Sequence, residues 1–385
     1  MPSKILLICP SNEGTIAKCS TNLMEAFRET SGIEVRCVCL YKYNNGEMSL
    51  SNCDYYIDRS IDEKNDISIA KKVNWIKHQK ESFRPDITIS TLYAVSMLNV
   101  LAGGKDCKIG VFHAPIAQAK AFGWLYYSLM SLVYYLLFPF LDYCFCVSEE
   151  SADDLKTFFT IKKDRIKIVY NIHNLEKILT SSTETMDEKE SDVFKNPVLL
   201  YCGRLDDNKA PQRVIDALRY IKSDNVHLVL IGSDPFGTWA DIETSLSGNG
   251  LKNRVHYWGS KGNPYKYMRH SSMLVSCSYS ECLPGVIIEA LALGVPVVST
   301  NSSKGVWEIM SAKEHYDKDL SDVMVLEDGV ITSNRSNSDT NKYDSDVLNL
   351  AKGIDIVLSE RPPVSFAFKK EVSKQRIVAQ YLDVL

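Results

Sequence analysis

Three observations predict two doubly wound α/β domains for this chain of 385 residues. Apolar runs of strand length alternate with helical stretches in both halves. The runs are apolar throughout rather than at every second residue. A polar, acidic run at residues 180–191, TSSTETMDEKES, divides the halves. Strands that do not alternate are buried on both faces, as in a parallel sheet covered by helices. The length exceeds one ordinary core, so two domains follow.

In the first half the expected strands are residues 5–10, 34–41, 86–90, 108–113, 143–148 and 166–170. Helical pieces lie between them, for example 21–28 and 67–78. Residues 180–195 have no apolar periodicity and are expected to be the interdomain linker. The N-terminal domain is thus 1–179 and the C-terminal domain 196–365. In the latter, strands at 198–202, 226–232, 255–257, 273–277 and 296–300 repeat the rhythm. Ligands are expected at the carboxyl ends of the strands, in a cleft between the domains.

Residues 121–141, AFGWLYYSLMSLVYYLLFPFL, carry no charge and many aromatics. Their length would permit a membrane span. Pro139, the interleaved Tyr and Ser, and a position between two core strands argue against one. A helix docked on a bilayer surface and an ordinary buried helix both remain open.

The composition is that of a globular protein, 45% hydrophobic and 24% charged, and a net charge of −4 gives no general drive toward nucleic acid. The eleven cysteines show no C-x-x-C spacing. Cys37/Cys39 and Cys144/Cys146 sit two apart in strand-like runs, so each pair is read as small buried hydrophobes. The start Met1-Pro2-Ser3-Lys4 does not resemble a signal peptide, and a reducing cytoplasm is expected.

The densest signal is 278–301, SYSECLPGVIIEALALGVPVVSTN. It sets Glu281 and Glu289 eight positions apart, around a Pro-Gly turn that opens an apolar helix, and ends in a β-branched strand. Backbone N–H groups at such a helix start suit an anion. Carboxylates beside an amide cradle suit the hydroxyls and phosphate of a sugar nucleotide. Upstream stand YCGRLDDNKA (201–210), LIGSDPFG (230–237) and VHYWGS (255–260).

These four motifs, in this order, resemble the retaining family 4 glycosyltransferases of GT-B fold, with their E-x7-E and G-R-L-x-x-x-K-G elements. The version here is closest in style to bacterial surface-polysaccharide transferases. The resemblance implies two Rossmann-like domains facing a cleft, with the last helix, about 366–385, crossing back to the N-terminal domain. It implies transfer of a hexose, with retention, from a nucleotide-sugar donor to a hydroxyl of a glycan or lipid-linked glycan acceptor. UDP-sugar is favoured over GDP-sugar. On the matched positions, Arg204 and Lys209 would face the diphosphate, Glu281 the hexose and Glu289 the ribose. The backbone of Leu283, Pro284, Gly285 and Val286 would lie at the sugar or diphosphate, and Gly232, Ser233 and Tyr257 near the base. His113, in VFHAP, falls where the family often has a histidine near the transferred sugar, although a lone His after a strand is more often structural.

Three departures stand out. The family's Gly after the Lys is Ala210, and Cys282 stands where Gly or Phe is common. The usual Gly-Gly after the first strand is reduced to Gly14, preceded by Glu13. The close acid pairs, Asp206-Asp207 and Asp344/Asp346, have simpler readings as a turn and a helix N-terminus, so no metal and no cofactor are expected. Expected partners are the donor, the acceptor and, in the docked-helix reading, the cytoplasmic face of a membrane through 121–141, with no nucleic acid. The alternatives are a catalytically weak sugar-nucleotide-binding partner subunit and a sugar-nucleotide epimerase on the same fold.

Overall fold

In the computed structural model, residues 4–12, 14–43, 53–58, 68–113, 124–159, 161–246, 250–310 and 313–384 are described. They form two compact units, one of residues 1–173 with 370–385, the other of residues 174–369. The return of 370–385 to the first unit is the chain path expected for the last helix.

The first unit is built on seven parallel strands: β1 Lys4–Ser11, β2 Glu34–Lys42, β3 Cys53–Asp58, β4 Ile87–Thr91, β5 Cys107–Phe112, β6 Tyr143–Cys146 and β7 Ile166–Ile168. Their order is β3-β2-β1-β4-β5-β6-β7. Leu6, Ile8, Val38 and Leu40 face one way, into a core shared with Ile76, Phe83, Leu98 and Phe138. On the other face lie the helices Gly14–Arg28 and Lys374–Leu382, joined by the edge contact of Phe27 and Tyr381, whose rings are 5.7 Å apart. The expected strands are present. β3, CDYYID, was not foreseen, because an edge strand can carry polar side chains that erase the apolar run.

The second unit has β8 Val198–Cys202, β9 His227–Ile231, β10 Val255–Tyr257, β11 Met273–Ser276, β12 Val297–Thr300, β13 Val323–Leu326 and β14 Gly329–Thr332. The order is β10-β9-β8-β11-β12-β14-β13, with only the β13/β14 hairpin antiparallel. This hairpin was also unforeseen, though its Glu327-Asp328 turn followed by Gly329 is a legible hairpin signal. A Cβ on Gly329 would stand 1.9 Å from the carbonyl oxygen of Val297, so only glycine lets β14 pair there with β12.

The division between units falls at 173/174 rather than 179/180, and the expected linker is folded into the second unit. Helices Leu175–Ser181 and Glu188–Val193 occupy it, the latter with a capping box between Asp187 and Glu190. Glu190 accepts from Tyr267 Oη at 2.6 Å and from Lys261 Nζ at 3.1 Å. Burial alone would raise its pKa, but these donors more than offset it and hold the carboxyl below its ordinary value. The composition resembled a linker because these helices dock through charge rather than through an apolar stripe.

Residues 121–123 and the side chains of Tyr126 and Tyr127 lie outside the description. The helix Trp124–Leu137 turns Tyr134 inward, with Phe138 just beyond it, while Trp124, Leu129, Leu132, Leu136 and Phe140 are exposed. No helix among the described residues is long and apolar enough to cross a membrane.

Candidate active site in the second unit

β8 ends at Cys202, and the loop that follows is fastened backbone to backbone onto the loop after β9. Gly203 N–H donates to Ile231 O, and Leu205 N–H to Ser233 O, each at 2.9 Å. Gly232 is obligatory at this crossing, because a Cβ would lie 1.8 Å from Gly203 O. Tyr257 donates its hydroxyl to Gly232 O at 3.0 Å, and Tyr201 donates to Arg204 O at 2.6 Å. Gly232, Ser233 and Tyr257 therefore meet the Arg204 loop.

Asp206 organises the basic residues. One carboxylate oxygen accepts the Lys209 N–H at 2.8 Å, and the other lies 2.9 Å from the Arg204 guanidinium. The Arg204 side chain stays 62% exposed, free to reach a ligand. The backbone then enters Ala210 with φ +47. That is the left-handed region, which costs an L-residue about 1 kcal/mol and glycine nothing. The loop thus keeps a glycine-like backbone at the position where glycine is usual. Asp206-Asp207 is a turn here, as expected.

Glu281 comes from 72 residues further on and forms an ion pair with Lys209; its carboxylate also accepts from Ser278 Oγ at 2.7 Å. The loop that carries it is held by its carbonyls. Cys277 O accepts from Arg213, Ser278 O from Thr300, Tyr279 O from Asn334, Ser280 O from Asn208 and Cys282 O from Ser303. With every one of these acceptors occupied from outside, the Glu281 backbone has little freedom. Gly305 lets the helix Lys304–Ile309 press on this loop, since a Cβ would meet Cys282 O at 1.9 Å. Sequence reading missed Arg213, Asn334 and Thr300 as holders of the loop. Asn208 and Thr300 lie inside recognised motifs, whereas nothing in PQRV or SNRS singles out Arg213 or Asn334.

Pro284 caps the helix Gly285–Ala292, and Leu283, Gly285 and Val286 are half-buried around its first turn. First-turn amides have no partner within the helix and point toward its N-terminal end. Glu289, on the second turn, is 6% exposed. Cys282 is buried and packs, as expected.

Gly14 and His113 belong to the first unit. Gly14 opens the helix Gly14–Arg28 with φ +83. His113 directs a buried Nε2 that has no hydrogen-bond partner among the described residues; Ser20 Oγ is in the same condition. Both side chains line a cavity of about 20 Å³, room for one water molecule. Burial holds His113 down to about 4, so its ring is neutral at neutral pH. Ser148 caps the helix Glu149–Phe158 in a box with Ser151.

A family model described as glycosyl transferases group 1 matches residues 196–328, and one described as glycosyltransferase family 4 matches 17–177. An uncharacterized glycosyltransferase of Methanocaldococcus jannaschii is 28% identical over 255 residues, 63% of this chain and 62% of the relative. A Campylobacter jejuni enzyme that adds N-acetylgalactosamine to a diphospho-undecaprenol-linked sugar is 31% identical over 180 residues, 46% and 47% of the two chains. The chain thus spans about half to three fifths of the length of these relatives. Anabaena HepE, solved with UDP and glucose, superposes with a TM-score of 0.66 at 17% identity over 100% of both chains.

Proposed function

Given that the chain belongs to the glycosyltransferases with a family 4 domain followed by a group 1 domain, we propose that it transfers a hexose from a nucleotide-sugar, with retention, to a glycan or lipid-linked glycan hydroxyl. The observation that carries this is the Lys209–Glu281 pair at the carboxyl ends of β8 and β11, with Arg204 steered by the same loop. A diphosphate entering there competes with Glu281 for Lys209, and releases the carboxylate to bind a hexose hydroxyl. Arg204 and Lys209 then face the charge that grows on the β-phosphate as the C1–oxygen bond breaks, which lowers the barrier rather than only tightening binding. The acceptor oxygen bonds to C1 on the departing face, and its proton passes to a β-phosphate oxygen.

Glu289 accepts from the ribose hydroxyls, the backbone N–H groups of Leu283, Gly285 and Val286 meet the diphosphate, and Gly232, Ser233 and Tyr257 border the base. The two basic side chains supply the compensating charge, so turnover needs no divalent ion. His113, its ring neutral, would stand near the transferred sugar. A UDP-sugar is the first donor to try, since the Anabaena structure holds UDP.

Donor hydrolysis without acceptor, measured over a panel of sugar nucleotides in excess EDTA, tests the reading. Slow release of nucleoside diphosphate from one donor is expected. In calorimetry, Glu289→Gln weakens UDP binding while Glu281→Gln spares it. Binding of a donor without hydrolysis would favour the inactive-partner alternative, and epimerised sugar product the epimerase.

The Campylobacter relative's lipid-linked acceptor supports a second part of the proposal, contact with a membrane surface through the helix Trp124–Leu137. Its exposed Trp and Leu side chains would enter the acyl boundary. Arg165 donates to Pro139 O and Leu141 O, which sets the basic run Lys162, Lys163 and Arg165 at the end of this segment, toward anionic headgroups. The protein should cosediment with anionic vesicles, and Trp124→Ser with Leu132→Ser should release it. Equal pelleting of this variant, or no pelleting of the unaltered protein, removes the lipid contact from the reading.

A further inference from the structure

Four cysteines that were read as small buried hydrophobes, or not at all, come together at the open edge of the first sheet. Cys9 lies near the end of β1, Cys37 and Cys39 lie on β2, and Cys53 begins β3. In the parallel register Cys9 stands opposite Cys39, and Cys37 opposite Cys53. Even-numbered residues of β1 and β2 fill the core on one face, so these odd-numbered positions share the other face, under the helix Gly14–Arg28. The Sγ atoms of Cys9, Cys37 and Cys39 all lie within 4.8 Å of one another, with Cys9 and Cys37 at 4.0 Å. All three residues are buried, whereas Cys53 is half-buried on the edge strand.

We propose that this cluster is a structural site for one thiophilic d10 cation, Zn(II) or its analogue Cd(II), held by the thiolates of Cys9, Cys37 and Cys39, with Cys53 as the fourth sulfur. Ligands about 2.3 Å from one ion stand about 3.8 Å apart, so the Cys9–Cys37 pair is already at working separation and the third sulfur must close by about 1 Å at most. Soft sulfur ligands select such ions over Mg²⁺ or Ca²⁺. Binding displaces to solvent whatever S–H protons the four thiols still hold and forms four metal–sulfur bonds, without change of oxidation state. Cys53 provides the entry, since an ion captured at the edge can pass inward by ligand exchange. The bound ion would tie β1, β2 and β3 together. This inference is independent of the donor-site reading and of its metal-free turnover.

The test is titration of the reduced, chelator-stripped full chain with Cd²⁺, following thiolate-to-metal charge-transfer absorption and the metal retained after desalting. One equivalent should be retained, with a rise in melting temperature, and X-ray absorption at the Cd edge should count three or four sulfur neighbours. Cys37→Ser and Cys39→Ala should each weaken retention by about tenfold or more, while Cys144→Ala, on the opposite face, should leave it unchanged. No retained equivalent, fewer than three sulfur neighbours, or undiminished affinity in both variants overturns the proposal. So does a loss of two titratable thiols from the protein as isolated, which would mean a disulfide. If a variant does not fold, the retained equivalent and the sulfur count of the unaltered protein decide.

Discussion

Replacing Lys209 by alanine lowers turnover by about 10²-fold or more, equal to about 2.7 kcal/mol of lost transition-state stabilisation. The ammonium is held by its own backbone N–H on Asp206 and by the Glu281 carboxylate, so it is placed before the ligand arrives. Preorganised charge of this kind acts without reorganising at the moment of reaction. A second effect must be separated from it. Without Lys209, Glu281 keeps a carboxylate only 13% exposed and no cation beside it. The double variant Lys209→Ala/Glu281→Gln makes the separation. If Lys209 only balances Glu281, the double variant turns over as fast as Glu281→Gln alone. If Lys209 meets the diphosphate, the double variant is slower than Glu281→Gln alone by about the factor that Lys209→Ala costs. Wild-type turnover in Lys209→Ala would end the diphosphate role.

Arg213→Met or Asp346→Asn should each cost about 3–5 kcal/mol of unfolding free energy, because either one strands a buried partner. Their side chains are 1% and 0% exposed. Arg213 donates to Cys277 O at 3.2 Å and to Asn334 Oδ1 at 2.7 Å, and lies over the Tyr279 ring, so it supports the loop that carries Glu281. Asp346 accepts from Ser333 Oγ at 2.5 Å and from Ser336 N–H at 2.7 Å. Burial raises its pKa, but these hydrogen bonds outweigh it and the net value is below that of an ordinary aspartate. A depressed folded value means that this stability is complete above the unfolded pKa and is lost as pH falls through the folded one. Urea unfolding should therefore show an acid-limb loss that Asp346→Asn lacks. Replacing both members by apolar residues of similar size, as in Arg213→Met/Asp346→Leu, should recover much of the cost. Single variants within about 1 kcal/mol of the unaltered protein would mean that the pair is not structural.

The chain's own pattern determined that there are two parallel-sheet units. Buried parallel strands must be apolar along their whole length, and each of the eleven expected strands carried that mark locally. It also determined the chemistry of the candidate site, because Arg204, Lys209, Glu281 and the amide turn at 283–286 lie in short motifs whose backbone requirements show as glycine and proline. Tertiary structure alone decided what holds those residues. β3 stayed hidden as a polar edge strand, and the acidic stretch 180–195 docks in part because Lys261 and Tyr267 meet Glu190. Arg213 sits 64 residues from the carbonyl it supports, and 133 from its carboxylate. Cys9 is 28 residues from Cys37. Partners so far apart leave no periodicity, because what brings them together is strand order and register, which no local run of residues encodes.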